Sequence, residues 1–459
     1  MDKRKPNNQK YNIQIEQAQA SVIGDNNTVT RHFYLPPPAP LLTTDILTSF
    51  YQANAALRNY PHTIANIHIP RDETQQIVEW VQEVDTKENL AFLLEQPGSG
   101  KTVVLHDILV ELESIQIPIL AIKADALPTI KNKNDLSGHL GLPASVEECV
   151  DALTAKVELV VIILDQIDAL SVALLHDQSA INVMLGLLNR LRANENVRIV
   201  VSCREFELNN DPRLSKINAK KTFQLKPLNA DQIRTVFQST SITYTQLLPA
   251  HHQILRLPLH LQIYARLAES VPDHCQVGGY RTLQDLYDAL WNQQIISRNR
   301  DESKPQDRIE VIYALVDSMQ ENQCLSAPVA MLDAHPSAGS YLERIAFIQR
   351  KGGTCSFFHQ TLFDYCYARR FVANGRVLSD EILSGSQGLF ERSQMVQILA
   401  YLRGVDEKRY QLCHWNGCSM IFFHKSLIFR ILVGSDIFEL VRFPLGEELI
   451  TTFWLTAPV

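Results

Sequence analysis

The residues best suited to chemistry form a glycine-rich loop between an apolar strand and an apolar helix. Apolar residues at 90–94 precede the loop, and a helical pattern of apolar residues begins at Val103. The loop consists of Glu95, Gln96, Pro97, Gly98, Ser99, Gly100, Lys101 and Thr102. Glycines in such a loop let successive backbone N–H groups converge on phosphate oxygens, and the N-terminus of the following helix adds partial positive charge. The sequence therefore predicts a phosphate-binding loop, and the flanking strand and helix argue against a chance turn.

Lys101 and Thr102 carry the functional side chains of this loop. We predict that the Lys101 ammonium contacts the β- and γ-phosphates of a purine nucleoside triphosphate, and that the Thr102 hydroxyl ligates Mg²⁺. The first position of the motif, ordinarily glycine, is Glu95. Because Gly98 and Gly100 are retained, we expect this departure to lower the rate of hydrolysis more than the affinity for nucleotide.

Two further apolar strands are followed by charged residues. Residues 160–164 are aliphatic and precede Asp165, and Asp168 follows three positions later. An acid at the carboxyl end of a parallel strand lies where ligands bind. We therefore predict that Asp165 holds Mg²⁺ through a water molecule and that Asp168 polarises the attacking water as general base. Arg204 lies just after the strand predicted at 197–202, where it is placed either to sense a γ-phosphate or to form a surface salt bridge.

Strands and helices alternate from residue 69 to residue 228, which predicts an α/β P-loop NTPase fold with a parallel sheet and helices on both faces. Strands are predicted at 90–94, 117–122, 159–164, 197–202 and 222–225, and helices at 103–113 and 180–191. Helical patterns dominate after residue 229. A strand pair at 346–349 and 354–358, with a turn at 351–353, predicts a winged-helix unit.

These motifs resemble those of the NACHT clade of STAND-type signalling ATPases over about residues 69–372. The segment Ile69-Pro70-Arg71-Asp72 is similar to the one that borders the adenine in that family, which implies a binding role for Arg71. Asp165 and Asp168 match the family's extended second motif, and Arg204 is similar to its sensor arginine. The resemblance implies ATP and ADP as cofactors, with Mg²⁺.

The later part of the chain extends the resemblance. Leu225-Lys226-Pro227-Leu228 resembles the junction into the family's helical lid, and Pro258 matches a lid proline that packs on adenine, with Arg256 in place of the family's glycine. Residues 357–365 resemble the winged-helix segment whose histidine bonds the β-phosphate of ADP and holds a closed resting state. His359 is the matching residue, although taken without the resemblance it would be interpreted as a core histidine.

The N-terminal segment is of a different kind. Polar and apolar residues alternate at 11–16, a turn signal lies within 22–29, and a proline-rich linker occupies 35–40, which predicts either a small hairpin or a disordered arm. Residues 22–27 resemble amyloid-type homotypic signalling motifs, with Gly24 and Asn27 matching and Ser21 departing from the pattern. The resemblance implies recruitment of an effector by stacking of strands, and an inert arm remains the alternative.

We predict six regions in this chain. They are an N-terminal amyloid-like motif and linker at 1–40, a helical linker at 41–68, a nucleotide-binding NACHT domain at 69–228, a helical lid domain at 229–295, a winged-helix domain at 296–375 and a C-terminal helical region at 376–459. The last region is short for the repeat sensor that STAND proteins usually carry.

Composition limits the classes of function. The 459-residue chain has a net charge of −7, which argues against wholesale electrostatic binding to nucleic acid or to an anionic membrane. Its eight cysteines are scattered, as expected for reduced thiols. No signal peptide or membrane-span pattern is present, so we expect a cytoplasmic protein.

The favoured hypothesis is a slow ATP-hydrolysing switch. ADP would hold the lid and winged helix closed, and an unknown trigger would open them. ATP would then bind, the chain would form a homo-oligomer, and the N-terminal motif would recruit an effector protein, in antiviral or self-killing defence. The alternatives are an AAA-like motor or loader acting on DNA or protein, and a nucleotide-bound scaffold without hydrolysis. The rate of turnover distinguishes the three.

Overall fold

A computed structural model describes most of the chain. The described residues are 41–83, 88–127, 130–173, 179–217, 219–238, 249–270, 280, 282–297, 303–322, 324–378 and 389–411. The N-terminal motif predicted at 1–40 and the end of the chain after 411 lie outside them.

The described elements alternate between strand and helix in the first half and are mainly helical in the second. The strands are β1 (Thr63–Ile64), β2 (Ile67–His68), β3 (Leu90–Leu94), β4 (Ile119–Lys123), β5 (Val160–Asp165), β6 (Val197–Cys203), β7 (Lys221–Gln224), β8 (Ala327–Pro328), β9 (Ile348–Lys351) and β10 (Thr354–Phe357). The helices are α1 (Thr43–Ala53), α2 (Ala55–Arg58), α3 (Asp72–Gln82), α4 (Lys101–Ser114), α5 (Lys133–Leu140), α6 (Val146–Thr154), α7 (Ile167–Ala173), α8 (Ser179–Leu191), α9 (Glu205–Asn210), α10 (Ala230–Gln238), α11 (Pro249–Ile254), α12 (Pro258–Ser270), α13 (Leu283–Leu290), α14 (Pro305–Glu321), α15 (Pro336–Arg344), α16 (Gln360–Ala373) and α17 (Leu389–Val405).

Five parallel strands form the central sheet in the order β4-β5-β6-β3-β7. Successive side chains of a strand point to opposite faces, so Phe92 lies in one apolar core and Leu93 in the other. Ile162 and Ile163 divide between the two cores in the same way. Both faces are therefore covered by helices, and the predicted α/β P-loop fold with a helical region after it is confirmed.

The predicted strands differ from the observed ones only at their ends. β3 has the predicted bounds, whereas β4, β5 and β6 extend one residue beyond them to Lys123, Asp165 and Cys203. Charged and polar groups therefore gather at one edge of the sheet, because the carboxyl ends of parallel strands meet there.

The segment predicted as a helical linker at 41–68 is only partly helical. It contains α1 and α2, but residues 63–68 form the hairpin β1–β2. Ala65 and Asn66, at the turn, have φ of 47° and 62°, the left-handed conformation that a two-residue hairpin turn requires. The helical prediction for these residues is wrong because local turn geometry reverses the chain.

The same segment packs on the nucleotide-binding domain. The Asn54 side chain accepts a hydrogen bond from the Ala121 N–H at 2.7 Å and donates one to the Ile119 carbonyl at 3.0 Å. Both partners belong to the edge strand β4. Asn54 therefore satisfies backbone groups that an open sheet edge would leave unpaired.

The second half of the described chain shares one large core, which also includes Ile64 and Ile69 from the hairpin region. Within it, β8, β10 and β9 form a three-stranded antiparallel sheet in that order. Strand β9 lies two residues later than predicted, and Gly352 in the turn has φ of 57°. The domain boundaries remain predictions.

None of the described helices is long and apolar enough to cross a lipid bilayer.

Candidate nucleotide-binding site

The glycine-rich loop joins β3 to α4, as predicted. Gly98 has φ of 80°, and Gly100, the N-cap of α4, has φ of 94°. This left-handed backbone favours glycine because a Cβ would clash with the neighbouring carbonyl. The Ser99 hydroxyl is buried and has no hydrogen-bond partner among the described residues. A phosphate oxygen in the loop would meet an unpaired donor here, so the loop fits a phosphate.

Lys101 lies in the first turn of α4 with its side chain folded over the loop. Its Nζ donates to the carbonyls of Glu95 at 2.6 Å and Gln96 at 3.0 Å. Burial lowers the pKa of Lys101, and Arg204 lowers it further, while Asp168 and Asp165 oppose the change. The ammonium is therefore a poorly hydrated positive charge within the loop, as phosphate binding requires.

Asp165 lies at the centre of a buried polar network. Its Oδ2 accepts a hydrogen bond from the Thr102 hydroxyl at 3.1 Å, and its Oδ1 accepts one from the Ser202 hydroxyl at 2.6 Å. Lys123 Nζ is 3.1 Å from the same Oδ2. Burial alone would lower the pKa of Lys123, but the charges of Asp165 and Asp125 outweigh it and raise the pKa above its usual value.

The structure thus brings together the two residues predicted to hold Mg²⁺. Hydroxyl and carboxylate oxygens are the ligands that this cation prefers. Thr102 and Asp165 therefore fit a magnesium ion, with one complication: the Lys123 ammonium already lies on the carboxylate.

Asp168, predicted as general base, is engaged by Arg204. Arg204 Nε is 3.1 Å from Asp168 Oδ2, and the Arg204 backbone N–H donates to Oδ1 at 3.3 Å. Glu207 lies 3.8 Å from the same guanidinium. Burial would lower the pKa of Arg204, but Asp168 and Glu207 outweigh this and raise it. The arginine is partly buried beside Asp168, with 15% of its side chain exposed, so the pair is not a surface salt bridge. The sensor role remains a prediction.

The start of helix α12 rests on the loop. The Leu259 N–H donates to the Gly98 carbonyl at 3.2 Å. A Cβ built on Gly98 would lie 2.9 Å from Leu259 Cβ, and one on Gly100 would lie 3.7 Å from Pro258 Cγ. This conformation, in which Leu259 contacts the loop and Pro258 lies beside Gly100, is called closed.

His359 is the N-cap of helix α16 and is close enough to Arg204 and Lys101 for their charges to act on it. Its Nδ1 accepts a hydrogen bond from the Thr361 N–H at 3.2 Å, so a neutral ring carries its proton on Nε2. Burial, followed by the charges of Arg204 and Lys101, lowers the pKa of His359 to about 3. The ring is therefore neutral at physiological pH, with Nε2–H available as a donor.

Gln360, the next residue, connects the C-terminal half of the chain to the sheet. Its Oε1 accepts a hydrogen bond from Arg204 Nη2. Asp364, one turn further along α16, is buried, which raises its pKa to about 7 in spite of the nearby charge of Arg204. Arg204 thus links Asp168 of the nucleotide-binding domain to helix α16.

Arg71 is positioned differently from the other predicted residues. Its guanidinium donates to the Lys226 carbonyl, and its Nε is 3.7 Å from Glu73 Oε2. Burial lowers the pKa of Arg71, against the opposing charge of Glu73. Arg71 therefore braces the segment before α3 against the residues after β7.

Sequence reasoning missed several residues of this site. Lys123 ends an apolar strand just as Asp165 does, and that signal could have revealed it. Ser202 is a polar residue within an otherwise apolar run. Leu259 and Gln360 carry no such signal. Their contacts with Gly98 and Arg204 depend on how the C-terminal half of the chain packs on the nucleotide-binding domain.

Comparison with known proteins agrees with this geometry. Residues 92–225 match the family described as ATPases associated with various cellular activities (AAA). The fold and the site therefore define the class: the chain contains an AAA-family P-loop ATPase domain, a class that binds nucleotide. No curated protein matches the chain.

Solved structures give similar but distant matches. A Walker-type ATPase of Pyrococcus abyssi is 14% identical, with 67% of this chain and 98% of that chain covered and a TM-score of 0.38. Cdc6p from Pyrobaculum aerophilum is 15% identical, with 68% and 97% covered and a TM-score of 0.32. The ORC1 protein of Aeropyrum pernix, solved with DNA, is 15% identical, with 70% and 98% covered and a TM-score of 0.33. At these values the likenesses carry no functional conclusion.

Proposed function

We propose that this chain is a slow nucleotide-dependent switch of the STAND type, which holds ADP in the closed conformation and binds ATP in an open, oligomeric one. The proposal rests on the motif resemblance to the NACHT clade and on one structural observation. The lid residue Leu259 contacts Gly98 of the loop, while Gln360 on α16 contacts Arg204. Both later lobes therefore converge on the site where phosphates would bind.

In the closed conformation the chain's own groups suit a diphosphate. The backbone N–H groups at Gly98 and Gly100 and the N-terminus of α4 would bind the phosphate oxygens, with Lys101 as the point charge. The Nε2–H of His359 would donate to the β-phosphate. This hydrogen bond would tie the C-terminal lobe to the nucleotide, so that loss of the nucleotide loosens the lobe.

Hydrolysis would require a rearrangement of Arg204. Asp168 cannot orient and deprotonate a water molecule well while both of its oxygens interact with Arg204. A γ-phosphate would compete for the guanidinium and release both Asp168 and Gln360. Mg²⁺, held by Thr102 and Asp165, would neutralise charge on the phosphates. Entry of ATP would thus free the base and break the link to α16 together.

The output of the switch would come from the N-terminal segment. Assembly through the nucleotide-binding domains would raise the local concentration of the motif at 11–34, and stacked strands would then recruit an effector. Antiviral or self-killing defence in the cytoplasm is the setting that the resemblance implies.

An AAA-like motor or loader is the second candidate, and the match of residues 92–225 to the AAA family favours it. A motor turns over repeatedly, within seconds or faster, whereas a switch hydrolyses slowly. Both oxygens of Asp168 interact with Arg204, which favours slow hydrolysis and therefore the switch.

The test combines nucleotide identification with a binding variant. We expect ADP to copurify with a monomer, and ATP to produce a larger species in light scattering coupled to size exclusion. Lys101→Ala should abolish triphosphate binding in calorimetry, because the loop's point charge is lost. Lys133→Ala, at an exposed site on α5, is the matched control and should bind normally. Wild-type affinity in Lys101→Ala would refute the site, and rapid steady turnover by a constant oligomer would favour the motor.

A further inference from the structure

Lys123 is a largely buried cation that the proposed switch mechanism leaves without a role. It ends β4 and is paired in register with Asp165 at the end of β5. Its Nζ lies 3.1 Å from Asp165 Oδ2 and 3.5 Å from Asp125 Oδ1, and only 9% of its side chain is exposed. The face of the Tyr60 ring is 5.4 Å from the ammonium. Lys123 is therefore held inside the site by several groups.

Lys123 contacts the carboxylate that a magnesium ion at this site would also need. Thr102 donates to the same Oδ2 that Lys123 contacts, and Ser202 occupies the other oxygen of Asp165. A dication that used Thr102 as a ligand and reached Asp165 through water would need that carboxylate. It would also stand a few ångströms from a fixed positive charge, in a buried place where Coulomb repulsion is weakly screened.

We propose that Lys123 is a resident counter-cation that competes with Mg²⁺ for Asp165, so that the closed conformation holds a nucleoside diphosphate without the metal. The inference rests on the proposed nucleotide site and adds to it the metal requirement of each state. The negative charge of Asp165 is already balanced, and Lys101 and the loop supply the remaining attraction for a diphosphate.

Asp125 provides the alternative position for Lys123. It lies in the short 3₁₀ turn Ala124–Ala126 directly after β4, and 32% of its side chain is exposed. A small rotation of the lysine side chain would give up Asp165 and keep the existing contact with Asp125, so the ammonium would remain paired. A triphosphate with Mg²⁺ would drive this change, because its extra charge and metal outweigh the ion pair between Lys123 and Asp165. A diphosphate would leave Lys123 where it is.

The test measures binding of ADP and of a spectroscopic metal to the full chain. ADP affinity is determined by calorimetry in excess EDTA and in excess Mg²⁺, and Mn²⁺ binding to the ADP complex is followed by electron paramagnetic resonance. For the wild type we expect the two ADP affinities to agree within about threefold. In Lys123→Met, which keeps the stem but removes the charge, Mg²⁺ should tighten ADP binding about tenfold or more, since a nearby repulsive charge is gone. Mn²⁺ should bind correspondingly tighter.

The matched control is Lys133→Met, which removes a lysine charge from the exposed start of α5 and should behave as the wild type. Equal dependence on Mg²⁺ in the wild type and Lys123→Met would overturn the inference. If Lys123→Met fails to fold, the calorimetry of the wild type tests the proposal by itself. A tenfold gain in the ADP affinity of the wild type on adding Mg²⁺ would refute it. ADP that binds under no condition would refute the proposed function itself, and this inference with it.

Discussion

Substitution of Gly98 by alanine tests the contact between the lid and the loop most directly. Gly98 has φ of +80°, and a Cβ there would lie 2.9 Å from both Cβ and Cδ2 of Leu259. Leu259 Cβ is attached to the backbone of α12, so it cannot move aside as the end of a flexible side chain could. We therefore expect Gly98→Ala to displace the start of α12 and open the closed conformation.

The free-energy cost of Gly98→Ala has two separable parts. A left-handed backbone costs an alanine about 1–2 kcal/mol wherever it occurs. Overpacking against Leu259 adds about 1–3 kcal/mol, which corresponds to roughly a 5- to 150-fold increase in the open population. Only the second part depends on the lid.

Gly141 supplies the matched control. It also has a left-handed conformation, with φ of +66°, but a Cβ there would meet nothing within 4 Å. The assay is hydrogen exchange of α12 in nucleotide-free protein, together with thermal unfolding. Gly98→Ala should lose stability and speed exchange in α12, whereas Gly141→Ala should lose only the stability that backbone strain costs.

A double variant checks the mechanism. Leu259→Ala removes Cδ2 but not Cβ, so adding it to Gly98→Ala should restore part of the lost protection in α12. If the effects of Gly98→Ala and Leu259→Ala simply add, the two residues do not interact. Unchanged exchange in α12 of Gly98→Ala, at a stability equal to that of Gly141→Ala, would refute the lid contact.

Three further predictions concern the groups around Arg204. Asp168→Asn should slow hydrolysis and spare ATP binding, and a wild-type rate of phosphate release would show that Asp168 is not the base. Gln360→Ala removes a hydrogen bond to a charged group, worth about 1.5–3 kcal/mol, and should increase exchange in α16 about tenfold or more; protection equal to wild type would exclude this link. Because the pKa of His359 is lowered to about 3, below that of an unfolded histidine, folding stability should fall as the pH drops from about 6.5 towards 3, by at most about 1.4 kcal/mol per pH unit. His359→Asn, which keeps a capping side chain for Thr361, should show a smaller decline in thermal unfolding between pH 6.5 and 5, and an identical decline would contradict the assignment.

The fold could be predicted well because its signals are local. Apolar runs ended by polar residues define β3, β5 and β6, and the glycines of the loop require a backbone that few other residues adopt. The hairpin at 63–68 was missed because Ala65 and Asn66 are not a strong turn signal, and its two-residue strands are too short to show alternation.

The candidate site could be predicted only in part. Lys101, Thr102 and Asp165 follow from motif and spacing, since a parallel sheet brings strand ends to one edge. The contact between Arg204 and Gln360 could not be predicted. It depends on the position of α16, which is 156 residues from Arg204 at the point of contact.

The sequence by itself determined the phosphate loop, the parallel sheet and the acids at its edge, because each arises from residue types within one strand, turn or helix. Tertiary structure alone decided that Leu259 rests on Gly98, that Gln360 holds Arg204, and that Lys123 lies on Asp165. These contacts join elements distant in the chain. Their free energy comes from burial and charge pairing that exist only after the strands have assembled and the helices have packed on them, and no local pattern of residues records it.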